Sequence, residues 1–263
     1  MRFGLALPSM APPRRLVDLA VTAERSGWDG VFVDDHIQMP AATALEPHDP
    51  WVLLGAIAQT TGRIRLGAMV TPLSRRRPQK FAKEVVTLDH LSGGRVITGV
   101  GLGNLPEEEF AAFGDAASLK ERAERTDEAL DVVSALWSGE RVRHQGAHFT
   151  VDAVMRPVPV QRPRPPIWIA CGWPNARPLA RARRWDGVVA IDRQRGFMEP
   201  EEVRRVVEAL GPAAPGFDVV AIWSPGRAAE EYAKAGATWL LRALPPADDW
   251  LAALEAAAAE SPE

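Results

Sequence analysis

Three separate stretches of this chain share one pattern: a helical segment ends at a turn, and a short apolar run follows that ends in a charged residue. They are 24–36 (ERSGWDGVFVDDH), 183–192 (RRWDGVVAID) and 234–242 (KAGATWLLR). Each predicts a helix followed by a strand, and repetition of this unit indicates a parallel sheet or barrel. In βα barrels the chemistry lies at the carboxyl ends of the strands, which is where Asp35 and His36 fall.

The rest of the chain continues this alternation. Apolar runs predict eight strands, at 2–8, 30–36, 64–71, 96–103, 167–171, 187–192, 218–223 and 238–244. Helical spacing of apolar residues predicts eight helices, at 14–25, 50–61, 78–91, 119–137, 176–184, 201–210, 227–235 and 249–259. The length of 263 residues would allow two small domains. The strict succession favours an α/β fold in which residues 1–263 form a single TIM (β/α)8 barrel.

One segment, 139–166, interrupts the alternation before the fifth predicted strand. It is rich in proline and shows no sustained period, apart from a hairpin-like piece at 148–151. Long irregular segments inside compact domains are often functional. We therefore interpret it as an insertion that forms a lid or a rim.

Composition excludes several function classes. The net charge of −3 and the pI near 6.0 offer no general attraction to nucleic acid or to an anionic membrane. The single cysteine, Cys171, excludes an internal disulfide and fits a reducing compartment. No stretch has the pattern of a signal peptide or the apolar length of a membrane span. We expect a cytoplasmic protein with no nucleic-acid and no membrane partner.

The end of the second predicted strand carries the residues Asp34, Asp35 and His36. A histidine beside carboxylates is a candidate general base or hydrogen-bond anchor at neutral pH. The alternative is that these residues cap the strand and bond to nearby loop backbone. Both interpretations remain open, and the position at a strand carboxyl end favours the functional one.

Three glycines, Gly99, Gly101 and Gly103, alternate along the fourth predicted strand and leave one face without side chains. Such a face suits the close approach of a flat ligand or of another backbone. A tight barrel interior or a bulge is the structural alternative. Asn104 stands where a GxGxxG fingerprint needs its third glycine, and the glycines lie within a strand, so a nicotinamide-binding Rossmann domain is disfavoured.

The turn Gly172-Trp173-Pro174-Asn175 joins a predicted strand to a predicted helix and could offer backbone N–H groups to a phosphate. An ordinary turn with Asn175 as N-cap is an equally common explanation. The arginine run 75–77 could add positive charge nearby, although such runs are usually only solvated. His144 and His148 have the spacing of metal ligands, but only Asp152 is a nearby partner, so we expect no metal site.

Together the motifs resemble the bacterial luciferase-like family of flavin- or deazaflavin-dependent oxidoreductases, in family order over nearly the whole chain. They read RFGLALP, GWDGVFVDDH, RIRLGAMVTPLSRRRPQKFAKEVVTLDHLSGGRVITGVGLG, ALDVVSALWSGERVRHQGAHFTV, PVPVQRPRPPIWIACG and RRWDGVVAI. The resemblance implies a barrel, usually dimeric, that binds FMN or coenzyme F420 at its carboxyl face.

The resemblance also assigns roles to particular residues. Asp35 and His36 match an aspartate-histidine pair whose histidine lies near the cofactor and acts as a catalytic base in luciferases. The residues implied to contact the cofactor are Ala68, Met69, Val70, Thr71, Gly101, Gly103, Asn104, Cys171, Gly172 and Trp173. Of these, 68–70 cover the place of a non-proline cis peptide, and 171–173 match a phosphate-binding turn.

Two departures from the family pattern bear on the activity. Sugar-phosphate-oxidising F420 relatives have a glutamate where this chain has Asn104, and the C-terminal third is short for the family. Our first expectation is a homodimeric monooxygenase that uses reduced FMN and O2 on a small organic substrate. A separate flavin reductase is a candidate partner. The alternatives are an F420-dependent hydride-transfer enzyme and a non-catalytic flavin-binding protein.

Overall fold

The computed structural model describes residues 1–244 and 249–262, and a parallel barrel forms their centre. Its strands are β1 (Arg2–Leu7), β2 (Gly30–Val33), β3 (Arg65–Ala68), β4 (Thr71–Pro72), β5 (Thr98–Gly101), β8 (Ile167–Trp173), β9 (Gly187–Asp192), β10 (Asp218–Ile222) and β11 (Trp239–Arg242). A separate antiparallel hairpin consists of β6 (Arg141–Gln145) and β7 (Thr150–Val154).

The strand order in the barrel is β3-β2-β1-β11-β10-β9-β8-β5-β4. β3 and β4 are two halves of one predicted strand, interrupted at 69–70. A further parallel bridge joins Leu66 of β3 to Val96, just before β5, so the two ends of the sheet meet. Eight strand positions therefore close on themselves, and the predicted (β/α)8 barrel is confirmed.

All eight predicted helices are present, with ends shifted by at most two residues. They are α1 (Pro13–Arg25), α2 (Pro50–Thr60), α3 (Pro78–Ser92), α5 (Leu119–Leu136), α6 (Ala176–Ala182), α7 (Pro200–Leu210), α8 (Ala229–Ala235) and α9 (Trp250–Ala259). Several begin with proline in the first turn, where its missing N–H costs no helix bond. One short helix, α4 (Pro106–Glu109), was not predicted. Within the described part of the chain, every helix is too short or too polar to span a bilayer.

Aromatic side chains fill the half of the barrel interior that is farther from the carboxyl ends of the strands, called the lower half here. Trp168 and Trp239 meet edge-to-face with ring centroids 5.3 Å apart, and Phe32 packs against both rings. Gly30 makes room for them, since a Cβ there would lie 2.8 Å from the Phe32 ring. Because this half is filled by side chains, a ligand inside the barrel must lie above them, at the carboxyl ends of the strands.

The first half of the segment 139–166 is the hairpin β6–β7, which is longer than the predicted piece at 148–151. The Glu128 carboxylate of α5 accepts the backbone N–H groups of His148 and Phe149 at 2.9 and 2.8 Å. His144 Nε2 lies 2.9 Å from the same carboxylate. The hairpin is therefore attached to α5.

The second half, 155–166, lies at the amino ends of the strands. The buried carboxylate of Asp89 in α3 accepts the backbone N–H groups of Val160 and Gln161 at 2.6 and 3.0 Å. The Gln161 side chain donates to the carbonyl of Val96, which precedes β5. These bonds hold this half of the insertion at the amino ends of the strands, opposite the carboxyl face.

Asp89→Ala tests this attachment. The substitution leaves two backbone N–H groups without their carboxylate partner, and we expect the free energy of unfolding to fall by about 3 kcal/mol. Asp131→Ala is the control, since its half-exposed ion pair with Arg184 should be worth less than about 1 kcal/mol. Urea unfolding of both variants measures the difference, and equal losses would mean that Asp89 does not secure the segment.

Candidate active site

Asp35 is the second residue after β2, and its carboxylate is enclosed by two arginines from the turn after β4. Arg76 Nη2 donates to both carboxylate oxygens at 3.0 and 2.8 Å. Arg75 Nη2 donates to Oδ1 at 3.0 Å and to the Asp35 carbonyl at 2.8 Å. Asp35 is only 4% exposed. Its charge is thus matched within the protein, and the geometry gives it the role of holding the strand end.

His36 is the next residue, and its ring points to a carboxylate from another loop. Nδ1 lies 3.1 Å from Glu109 Oε1, which also accepts the Ile37 backbone N–H at 2.8 Å. Contact with a carboxylate favours the proton on Nδ1 and leaves Nε2 as the acceptor. Nε2 makes no hydrogen bond to any described residue, and the side chain is 23% exposed. His36 therefore presents a free basic nitrogen at the carboxyl face.

The charges around His36 shift its titration. Burial alone would lower the pKa of His36, but the hydrogen bond with Glu109 and the charges of Asp34 and Glu109 outweigh burial. The pKa of His36 therefore lies above its ordinary value. Burial alone would raise the pKa of Glu109, yet the bond with His36 and the charge of Arg75 bring it below its ordinary value. Glu109 is therefore ionised when it faces the imidazole.

The sequence analysis missed Glu109. It is the last of three consecutive glutamates in α4, and it is completely buried, whereas Glu107 is exposed. The acidic run was a visible signal, but nothing in its spacing indicated which glutamate turns inward. Asn104, earlier in the same loop, is exposed. The loop after β5 therefore supplies a carboxylate to the site, although not at the position that the resemblance implied.

Packing of the next residue, Phe110, fixes where Glu109 lies. The buried Phe110 ring is stacked under the Arg122 guanidinium, with 4.5 Å between the guanidinium carbon and the ring centroid. A Cβ on Gly103 would lie 2.6 Å from this ring, and Gly103 has a φ of +79°. Gly103 thus permits both the turn and the close packing of Phe110.

The other two glycines of this strand lie against protein atoms. A Cβ on Gly99 would lie 2.4 Å from the Ala68 carbonyl oxygen, and one on Gly101 would lie 2.5 Å from Val70 Cγ2. Residues 68–70 therefore cover the glycine face. The glycines allow this neighbouring segment of the chain to approach closely. The Met69–Val70 peptide is cis, as the resemblance implied.

Several residues implied to contact the cofactor turn their side chains away from the barrel mouth. The Thr71 hydroxyl accepts a hydrogen bond from Trp51 Nε1 of α2 at 3.2 Å. Ala68 and Cys171 are buried in the apolar layer between the strands and the helices. Burial raises the pKa of the Cys171 thiol to about 11. In this geometry these three residues can offer a ligand only their backbone.

Three apolar side chains, Met69, Ile191 and Phe197, lie partly exposed on top of the aromatic layer inside the barrel. We call this group the apolar floor. His36 follows β2, which pairs with the strand that precedes Met69, so the apolar floor and the basic nitrogen lie at the same end of the barrel. This combination suits a planar heteroaromatic ring.

Positive charge lies beside the turn that follows β8. The stem of the exposed Arg193 covers Gly172, since a Cβ on Gly172 would be 2.7 Å from Arg193 Cδ. Burial and the nearby charge of Arg193 both lower the pKa of Arg122. Asn175 Oδ1 accepts the Arg177 backbone N–H, which is the ordinary N-cap arrangement. An anionic group bound here would meet the exposed Arg193 guanidinium, with the positive charge of the buried Arg122 behind it.

Comparison with known proteins identifies the family. The model of the luciferase-like monooxygenase family matches residues 1–242. The chain belongs to this family of enzymes. It is 37% identical over 214 residues to an F420-dependent glucose-6-phosphate dehydrogenase of Segniliparus rotundus, covering 78% of this chain and 62% of that protein. It is 40% identical over 191 residues to the enzyme of the same description from Beutenbergia cavernae, covering 67% and 52%. The chain thus matches less than two thirds of the length of these relatives.

Solved structures show the same fold. An F420-dependent tetrahydromethanopterin reductase from Methanopyrus kandleri superposes with a TM-score of 0.77 at 18% identity, covering 98% of this chain and 97% of that one. The monooxygenase RslO1 from Streptomyces bottropensis superposes with a TM-score of 0.69 at 26% identity, covering 98% and 80%. The reductase, at this low identity, is evidence for the fold alone.

Glu109→Gln tests the electrostatic coupling at the site. Removing the carboxylate charge leaves burial and Arg75, which both lower the pKa of His36, opposed by Asp34 alone, so we expect this pKa to fall. Protonation of His36 stabilises the fold at acidic pH, because its folded-state pKa is raised, and the variant should lose this stabilisation. NMR titration of the imidazole and unfolding at acidic pH measure both effects. The exposed Glu107→Gln is the matched control, and an equal pKa in the two variants would contradict the coupling.

Proposed function

We propose that this protein is an F420-dependent oxidoreductase that oxidises a hydroxyl-bearing carbon of a small substrate, with His36 as the general base. The observation that carries the proposal is the His36–Glu109 pair, in which a buried carboxylate holds Nδ1 and leaves Nε2 free at the barrel mouth. The curated relatives named above are F420-dependent dehydrogenases, which favours this alternative over the FMN monooxygenase that the sequence first suggested.

The residues at the carboxyl face fit a cofactor of this kind. A deazaflavin has a planar ring and an anionic tail, and the face provides the apolar floor together with the guanidinium groups of Arg122 and Arg193. When bound, the deazaflavin supplies the hydride acceptor for the carbon that is oxidised. Met69, Ile191 and Phe197 would hold the ring and keep water from its lower face.

The chain itself handles the proton. Nε2 of His36 accepts the proton of the substrate hydroxyl as the carbon loses its hydride, and the resulting imidazolium is stabilised by ionised Glu109. Arg75 and Asp35 hold the end of β2 and the loop after β5 in fixed positions during this proton transfer. Since the pKa of His36 is raised, the base is protonated and inactive at acidic pH, and turnover should increase as pH rises through that pKa.

A second candidate is the FMN-dependent monooxygenase. It is supported by the likeness to the monooxygenase RslO1, which covers 98% of this chain at 26% identity. A flavin ring and its phosphate would use the same apolar floor and the same guanidinium groups. In that case we propose a separate flavin reductase as the source of reduced FMN. Under either candidate, assembly as a homodimer remains part of the proposal.

Cofactor binding distinguishes the two candidates. We expect F420 to bind at least ~10-fold more tightly than FMN, a difference of about 1.4 kcal/mol in binding free energy. Absorbance and fluorescence titrations of the full chain with each cofactor give the two dissociation constants. A preference for FMN would overturn the F420 assignment and favour the monooxygenase, and no binding of either cofactor would overturn both candidates.

His36→Ala tests the general base. We expect turnover with F420 to fall by roughly 10²-fold or more, because proton removal loses its acceptor. The dissociation constant of F420 and the circular dichroism spectrum should stay close to those of the unaltered protein, since His36 follows a strand end and is not a core residue. His48→Ala is the control, an exposed histidine later in the same connection between β2 and α2. Turnover equal to that of His48→Ala would remove His36 from the mechanism. Simple alcohols and glucose 6-phosphate are the substrates to compare.

A further inference from the structure

Arg75 lies between the two halves of the site. Its side chain is 1% exposed, with Nη2 on Asp35 and Nη1 3.3 Å from Glu109 Oε2. Among the described residues, Arg75 is the side chain that contacts both carboxylates. It therefore joins the end of β2, which carries His36, to the loop after β5, which carries the carboxylate partner of His36.

We propose that Arg75 is a positioning residue, which sets the charge state and the orientation of His36 through Glu109. Its effect on turnover rests on the proposed function, whereas its effect on the imidazole does not. Arg75 need not touch substrate or cofactor to act in this way.

The positive charge of Arg75 is needed mainly by Glu109. Asp35 already receives two hydrogen bonds from Arg76, so its negative charge has a partner without Arg75. Glu109 is completely buried, and a buried carboxylate without a cation is costly. When His36 is neutral, Arg75 is the cation that contacts Glu109 among the described residues. Arg75 thus keeps Glu109 ionised while His36 acts as a base.

The shape of the guanidinium is also required. One terminal nitrogen donates to the carbonyl and the carboxylate of Asp35, and the other faces Glu109. The Phe110 ring lies below, with its centroid 5.7 Å from the guanidinium carbon. A lysine ammonium is a single point of charge and cannot span both carboxylates. The charge and the bridge can therefore be removed separately.

The sign of the effect follows from the groups that face the imidazole. The carboxylates of Asp34 and Glu109 raise the pKa of His36, and the Arg75 guanidinium lowers it. Arg75 also lowers the pKa of Glu109. The charged groups farther out are Asp35 and Arg76, which pair with one another, and Arg122, which faces Glu109. Removal of the Arg75 charge must therefore favour protonation of the His36–Glu109 pair.

The experiment uses Arg75→Gln, Arg75→Lys and the control Arg77→Gln in the full chain. Arg77 is the exposed last member of the same arginine run, and its side chain makes no hydrogen bond to a described residue. NMR titration of the His36 imidazole is done without cofactor, and turnover is measured against pH with F420. For Arg75→Gln we expect the pKa of His36 and the acidic limb of the pH profile to move to higher pH together. For Arg75→Lys we expect the pKa to stay close to that of the unaltered protein while turnover falls by roughly 10-fold or more, because the bridge is lost.

Two results would overturn the proposal. If the pKa of His36 in Arg75→Gln equals that in Arg77→Gln, Arg75 does not set the charge of the pair. If Arg75→Lys turns over like the unaltered protein, the bridge is not needed. Should Arg75→Gln fail to fold, the turnover of Arg75→Lys still decides whether the bridge is needed. The pKa of His36 in the double variant Arg75→Lys/Glu109→Gln then decides whether the lysine charge acts through Glu109. The imidazole titration needs no turnover, so failure of the proposed activity would be recognised separately.

Discussion

The carboxyl face of this barrel depends on a group of buried ion pairs between segments that are far apart in sequence. Arg75 and Arg76 enclose Asp35, while Arg75 and His36 meet Glu109. Buried charges are stable only when they are paired and hydrogen-bonded, so each of these residues limits where the others can lie. The result is one basic nitrogen, His36 Nε2, held at the barrel mouth by groups that are themselves fixed.

Close packing below this face directs any ligand to it. Trp168, Trp239 and Phe32 occupy the lower interior, and glycines allow the backbone around them to approach closely. Gly103 extends this packing toward the carboxyl face, because it leaves room for the Phe110 ring. Phe110 directly follows Glu109, so the packing of its ring limits where Glu109 can lie. The packing of the barrel and the chemistry of the site are therefore linked through one loop.

The chemical character of the face agrees with the family. An apolar floor, a histidine coupled to a carboxylate and two guanidinium groups suit a planar redox cofactor with an anionic tail and a substrate that gives up a proton. Both F420 and FMN have this shape, and solved structures described as an F420-dependent reductase and as a monooxygenase both superpose on this chain. The proposal of F420 rests on the curated relatives, while the proposed base rests on the geometry of His36.

The sequence by itself determined the eight strand and helix pairs, because apolar periodicity, prolines at helix starts and glycines at helix ends act within a few residues. It also placed His36 at a strand end. Only the tertiary structure decided that Glu109 and not Glu107 faces His36, since that contact joins residues 73 apart. The same holds for the neutralised Asp35, for the outward hydroxyl of Thr71, and for 155–166 at the opposite end of the barrel. These features depend on which groups meet after the chain has closed into a barrel, and no local pattern records such meetings.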